Sequence, residues 1–194
     1  MTDEQRQQVV EESFPSLQQL KDPDLRRDIV ACWVRVWRES KWEELGSCPF
    51  NPNFPELSLV DHINCLAELC LGAAGILQKY NPSLSIDHEY LLTGVLLHDL
   101  SKLVEIEPGP QGPEFSSLHR HMPHSTYGAF VAMAQGLDTR VANIILSHTK
   151  LTGATPDSPE AVLLHYLDYG MADVLRARDG LDLLMVVGST FGKK

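Results

Sequence analysis

The sequence predicts an all-α fold in a single domain. Three observations carry this. Apolar residues recur at helical spacing over most of the chain, no segment sustains the period-two alternation of a strand, and helix start and stop residues punctuate the pattern. At 194 residues the chain is long enough to bury a sizeable core and too short for a second full domain.

The elements follow in order. Residues 1–13 are polar and read as a peripheral end. Over residues 24–41, Ile29, Val30, Trp33, Val34, Val36 and Trp37 fall at helical spacing behind Pro23, which favours a first helical turn. Trp33 and Trp37 predict core packing, with a docking surface as the alternative. Arg26, Arg27, Arg35 and Arg38 on the same helix read as solvated. Residues 57–80 form a second helix with Leu59, Ile63, Leu66, Leu69, Cys70, Ala73 and Leu77 on one side, stopped at Asn81-Pro82. Asp61 reads as an N-cap or an exposed carboxylate. A third helix over 88–104 is apolar around most of its surface, as befits the middle of a bundle. Residues 107–117 are the clear loop, because Pro108, Pro110 and Pro113 interrupt helix and strand hydrogen bonding alike. Helices resume over 124–135, 138–147 and 159–178, and residues 188–194 read as a frayed tail. The expected organisation is an N-terminal helical extension (1–55) packed on a single compact helical bundle (56–180), followed by a tail (181–194).

Composition narrows the function. Apolar content of 43% with 22% charged residues is ordinary for a soluble globular chain. No apolar run is expected to approach bilayer length and the polar start lacks signal-peptide character, so a cytoplasmic protein with no membrane partner is expected. A formal charge of -10 argues against a nucleic-acid polymer as partner. Phosphorylated small molecules remain open, because bound divalent ions reverse the local potential. Cys32, Cys48, Cys65 and Cys70 show no C-x-x-C spacing and read as reduced, buried thiols. Glycine-rich phosphate loops, a Ser elbow and a Cys–His dyad are all missing.

The chemistry lies in an ordered set of histidines and aspartates. His62 stands in Val-Asp-His-Ile-Asn, and His98-Asp99 in Leu-Leu-His-Asp-Leu-Ser-Lys. His124 stands in Pro-His-Ser-Thr-Tyr-Gly-Ala, His148 in Leu-Ser-His-Thr, and Asp168 in Leu-Asp-Tyr-Gly. Each falls on or near a predicted helix, so rigid elements can aim them at a shared centre. Imidazole with carboxylate suits Fe, Mn, Ni, Co or Zn, one or two ions per chain, rather than a soft thiolate metal. Asp99 follows Val95-Leu96-Leu97 and precedes Leu100, so its burial demands a cationic partner. Lys102, one turn on, can neutralise a bound phosphoryl group or pair with a carboxylate. His88, His119, His121 and His165 read as satisfied or solvent-facing; His119 and His121 are rivals to His124, and Asp173 to Asp168. Arg120 and Arg140 are candidates to grip a phosphate.

The order H…HD…H…H…D, with Gly94-Val95-Leu96-Leu97 before His98-Asp99, Lys102 after it, and Gly128-Ala129 after His124, closely resembles the HD superfamily of metal-dependent phosphohydrolases. The flanks are nearest its bacterial diadenosine-polyphosphate hydrolase branch. The resemblance runs from about Ser58 to about Arg178 and implies a division of labour. His62, His98, Asp99 and Asp168 would hold one ion, and His124 and His148 would complete a second site with Asp99 as the bridge. It implies hydrolysis of a phosphate ester or anhydride of a small molecule, a nucleotide foremost, by a metal-bound hydroxide, with Asp99 and Lys102 as the catalytic pair. The same ordered set resembles that of HD-type di-iron oxygenases acting on small polar substrates, and a noncatalytic module on this fold is a third reading. Substrate identity is expected to depend on residues 1–55 and on the 107–117 loop. A homodimer is left open.

Overall fold

In a computed structural model, which describes residues 1–184, the elements run α1 (Asp3–Ser13), α2 (Pro23–Glu39), β1 (Pro49–Asn51), β2 (Phe54–Ser58), α3 (Leu59–Tyr80), α4 (His88–Leu97), α5 (Lys102–Glu105), β3 (Ile106–Gly109), β4 (Gly112–Phe115), α6 (Ser117–His121), α7 (His124–Ala134), α8 (Thr139–Ser147) and α9 (Pro159–Arg178). The fold is all-α, with strands confined to two short hairpins among the described residues. The expected tail at 188–194 lies outside the described residues.

The helices start where local chemistry says they should. Asp22 accepts from the amides of Asp24 and Leu25 with Pro23 at the first position, Asp87 from Glu89 and Tyr90, and Ser158 from Ala161 ahead of Pro159. On α3 the N-cap is Ser58 rather than Asp61. Ser58 Oγ accepts from the Asp61 amide at 2.9 Å and donates to the Asp61 carboxylate at 2.7 Å.

The core takes in the N-terminal segment of the chain. Trp33 is fully buried against the Phe14 ring, centroids 4.7 Å apart, and its indole N–H donates to Leu96 O at 2.9 Å. Trp37 and Trp42 likewise donate to Trp42 O and Ile106 O, so all three tryptophans are structural. Residues 1–13, expected to be peripheral, form α1 behind a Thr2–Gln5 capping box and insert Val10 into this core. Period alone missed α1 because Val9 and Val10 are its only apolar residues.

Three further expectations change. The helix over 88–104 is interrupted at residues 98–101, so α4 and α5 meet at a turn. The loop over 107–117 is largely a hairpin, with Pro108 paired to Pro113 and Gly109 to Gly112. Ser116 donates to Glu105 O at 2.8 Å, and antiparallel pairs alternate, so the proline pair occupies a position that exchanges no hydrogen bonds. The missing proline N–H groups therefore cost the ladder nothing. Finally, Cys65, Leu69 and Leu77 on α3 are exposed, while Cys32, Cys48 and Cys70 are buried.

By length and composition α3 is apolar enough to cross a bilayer. Here it packs against α4 and α9 instead and carries His62 into the interior. Gly94 lets α4 and α8 approach closely, because a Cβ there would lie 2.4 Å from Ile144 Cδ1. That approach brings the C-terminal ends of two helices, and the histidines just beyond them, to one place.

Candidate metal centre

Five elements deliver the predicted residues to one buried cluster. His62 sits in the first turn of α3, His98 and Asp99 in the turn between α4 and α5, His124 at the start of α7, His148 just past α8, and Asp168 in mid-α9. All are buried, His62 and His98 completely. Neighbours on a regular helix point about 100° apart. In the 98–101 turn, Leu100 donates to Leu97 O and Lys102 to Asp99 O, and these tighter bonds let consecutive side chains converge. Ser101 then ties the turn to α7, its hydroxyl donating to His124 O at 2.6 Å.

The cluster has two halves joined by one carboxylate. Asp99 Oδ2 lies 3.4 Å from His62 Nε2 and 3.3 Å from His98 Nε2, and Asp168 Oδ1 is 3.3 Å from His62 Nε2. Asp99 Oδ1 faces the other way, 3.1 Å from His124 Nε2 and 3.5 Å from His148 Nε2. In each half the donor atoms lie within 4.8 Å of one another.

These donors fit divalent cations. His98 Nδ1 and His148 Nδ1 donate to Val95 O and Ile145 O, at 2.8 and 2.6 Å, so their inward Nε2 atoms carry lone pairs in the neutral rings. Both oxygens of Asp99 and Oδ1 of Asp168 are buried without a hydrogen bond. Lys102 Nζ approaches Asp99 Oδ2 at 3.0 Å as an ion pair, but not in hydrogen-bonding geometry. Lone pairs converging in a dry interior are costly unless a cation gathers them.

Charge within the cluster follows the same logic. Burial favours the neutral acid of Asp99, but Lys102 and the surrounding imidazoles outweigh it and hold the carboxyl well below its usual range. Burial likewise works against the Asp168 carboxylate, yet His62 and His98 bring it down to about 2. His124 resists burial through Asp99 and Glu105, which push it up to about 9. Burial dominates at His148, whose pKa falls below the ordinary value. Lys102 is also buried, but Asp99, Asp168 and Glu105 keep it charged.

Glu105 is the residue that sequence reading missed. It is 4% exposed, accepts from His119 Nδ1 at 2.7 Å, and has its other oxygen 3.4 Å from His124 Nδ1. A carboxylate behind a ligating imidazole fixes the ring and raises its basicity. The available signal was an acid flanked by Val104 and Ile106 one turn past Lys102. His119 is thereby an outer partner, stacked on Phe115, and neither it nor His121 displaces His124 from the cluster. His165 faces Ser147 O at 2.9 Å, and Asp173 accepts from the Leu184 amide. Arg140 packs over Tyr90 beside Asp138, and neither it nor Arg120 lines the pocket.

The cluster opens into a pocket of about 230 Å³ whose floor includes Asp99, Lys102, His124 and Asp168. The β1–β2 hairpin supplies Phe50, Asn51 and Phe54 to its wall, while the 107–117 segment contributes nothing. Phe50 stacks on His62 with centroids 4.0 Å apart, and its carbonyl accepts from Lys102 Nζ at 3.0 Å.

Helices presenting H…HD…H…H…D to one centre define a class. The family model for the HD domain matches residues 67–172, just over half the chain, and the protein belongs to the HD domain family. Proteins of this family are in general metal-dependent hydrolases. The match takes in His98, Asp99, His124, His148 and Asp168; His62 precedes it and is placed by the fold alone. No curated protein and no solved structure gives a significant match.

Proposed function

We propose that this protein is a metal-dependent hydrolase that cleaves a phosphate ester or anhydride of a small cytoplasmic molecule, with nucleotides the leading class. The observation that carries the reading is Asp99, which turns one oxygen to each half of the cluster and so suits a carboxylate shared by two ions. His62, His98, Asp99 and Asp168 would hold one ion and Asp99, His124 and His148 the other. Bound divalent ions would supply Lewis-acid polarisation of a phosphoryl oxygen and an acidified water nucleophile.

The chain's own contribution is placement and charge. Lys102 has three N–H donors. Phe50 O takes one of them, Asp99 holds the ammonium as an ion pair, and the remaining donors are available to a phosphoryl oxygen in the pocket. Phe50 closes over His62 and Lys102, which keeps bulk water from the inner side of the cluster. The apolar part of the wall accepts the substrate's organic body.

Elemental analysis of protein purified without chelator, with phosphate release from nucleotides and p-nitrophenyl phosphate under Mn, Ni, Co, Zn or Fe, tests this. About two ions per chain are expected, with phosphate release abolished by chelation. The same donors serve di-iron oxygenases. Activity confined to iron, with O₂ uptake and no phosphate release, would replace the hydrolase with that alternative.

A further inference from the structure

Arg176 lies two turns beyond Asp168 on α9, and both line the pocket with Ala172 between them. Residues four apart share a helix face, and eight residues of helix rise about 12 Å. One helix therefore presents a carboxylate to the metal end of the pocket and a guanidinium to its mouth. Helical side chains lean toward the N-terminus, which tips Arg176 back over the pocket.

Two features set this arginine apart. Its Nε donates to Asp182 O at 2.5 Å, which fixes the plane of the guanidinium. Among the described residues it has no carboxylate partner, whereas Arg178 on the same helix pairs with Glu56 and Asp179. A half-buried guanidinium without an anion is incompletely compensated for lost water, and its free fork matches an oxyanion bidentately. Beyond the cluster the lining is mainly apolar, with Phe50, Phe54, Leu151, Ala172 and Leu184 beside Asn51, Thr149 and Tyr169. Among the described residues Asp99 and Asp168 are the only carboxylates in the lining, and both belong to the cluster.

We propose that Arg176 is a specificity-determining residue that grips a second phosphate of the substrate. The substrate class is a small molecule with two phosphates separated by an apolar body, one phosphate at the metal end and the other on the guanidinium. This rests on the reading of the cluster as a phosphoryl-binding centre.

Hexyl phosphonate and hexane bisphosphonate differ only in the second anionic group, so their affinities for the metal-loaded protein isolate it. By calorimetry the wild type should bind the bisphosphonate about 10- to 100-fold more tightly, the range for a charge-assisted pair. Arg176→Gln should bring that ratio close to one, and Arg176→Lys should leave it between, because lysine is a point charge without the fork. Thermal unfolding of both variants verifies that they fold. A wild-type ratio near one, or a ratio that Arg176→Gln leaves unchanged, overturns the proposal. So does failure of either phosphonate to bind. If the ratio behaves as expected but neither hexyl phosphate nor hexanediol bisphosphate is hydrolysed, the hydrolase reading falls and the Arg176 subsite stands.

Discussion

The two halves of the cluster collect negative charge by different routes. In the half formed by α3, α9 and the 98–101 turn, both carboxylates face the centre directly, as Asp99 and Asp168. In the half formed by α7, α8 and the same turn, Asp99 is the one carboxylate in the inner ring, and the second stands behind an imidazole as Glu105. The histidines are held differently too. Each half anchors one ring by a carbonyl three residues back, His98 and His148, but the other rings differ: His62 Nδ1 is buried without a partner and its ring stacks on Phe50, whereas His124 is backed by Glu105. One half thus places both carboxylates at its centre, and the other places its second carboxylate behind an imidazole. The first should hold its ion by charge, and the second by the basicity of His124.

Asp99 belongs to both halves, so its loss is the largest expected effect. Asp99→Asn keeps the shape and removes the charge. Metal content should fall toward zero and turnover by at least about 1,000-fold. Retention of either ion would show that the carboxylate is not shared. The next test separates the halves. His124→Ala should remove about one ion per chain and Asp168→Ala the other, read by elemental analysis and by competition with a chromophoric chelator. Loss of both ions from either variant would break the comparison.

The smallest effect sharpens it. Glu105→Gln should weaken metal binding at the His124 half about 10- to 100-fold and leave the other half unchanged. Its pH dependence gives a second readout. The folded pKa of His124, about 9, lies above the ordinary value of 6.5. In the metal-free protein its stabilising contribution is therefore complete below about pH 6.5 and disappears as pH rises through about 9. Metal binding has the opposite slope. An ion must displace that proton, so affinity at this half rises with pH until about 9 and then levels off. Glu105→Gln removes one of the two carboxylates that support the proton, so the break should move to lower pH. An unmoved break in calorimetric titrations would leave Glu105 with no part in tuning His124.

How far the sequence reaches can be judged residue by residue. His62, His98, Asp99, His124, His148 and Asp168 were legible from order and flanks, and the structure brings all six together. Glu105 was not, because nothing in the sequence distinguishes it from Glu107 two residues on until His119 and His124 close on it. Arg176 was equally silent among the arginines of α9, since what marks it is the want of a carboxylate partner among the described residues. The prolines of 107–117 pointed to a loop because composition does not reveal that Pro108 and Pro113 face each other at a position without ladder bonds.

By itself the sequence determined the all-α class, most helix boundaries and which histidines and aspartates to look for at one centre. These depend on neighbours a few positions apart: apolar spacing, a capping oxygen, a proline at a first turn. Only the tertiary structure decided that Asp99 turns one oxygen to each half, that Glu105 stands behind His124, and that the β1–β2 hairpin walls the site. Those outcomes depend on how helices cross, which the close approach at Gly94 and Ile144 and the bond from Ser101 to His124 O set across long stretches of chain. A period in one segment carries no information about the distance to another; packing supplies it.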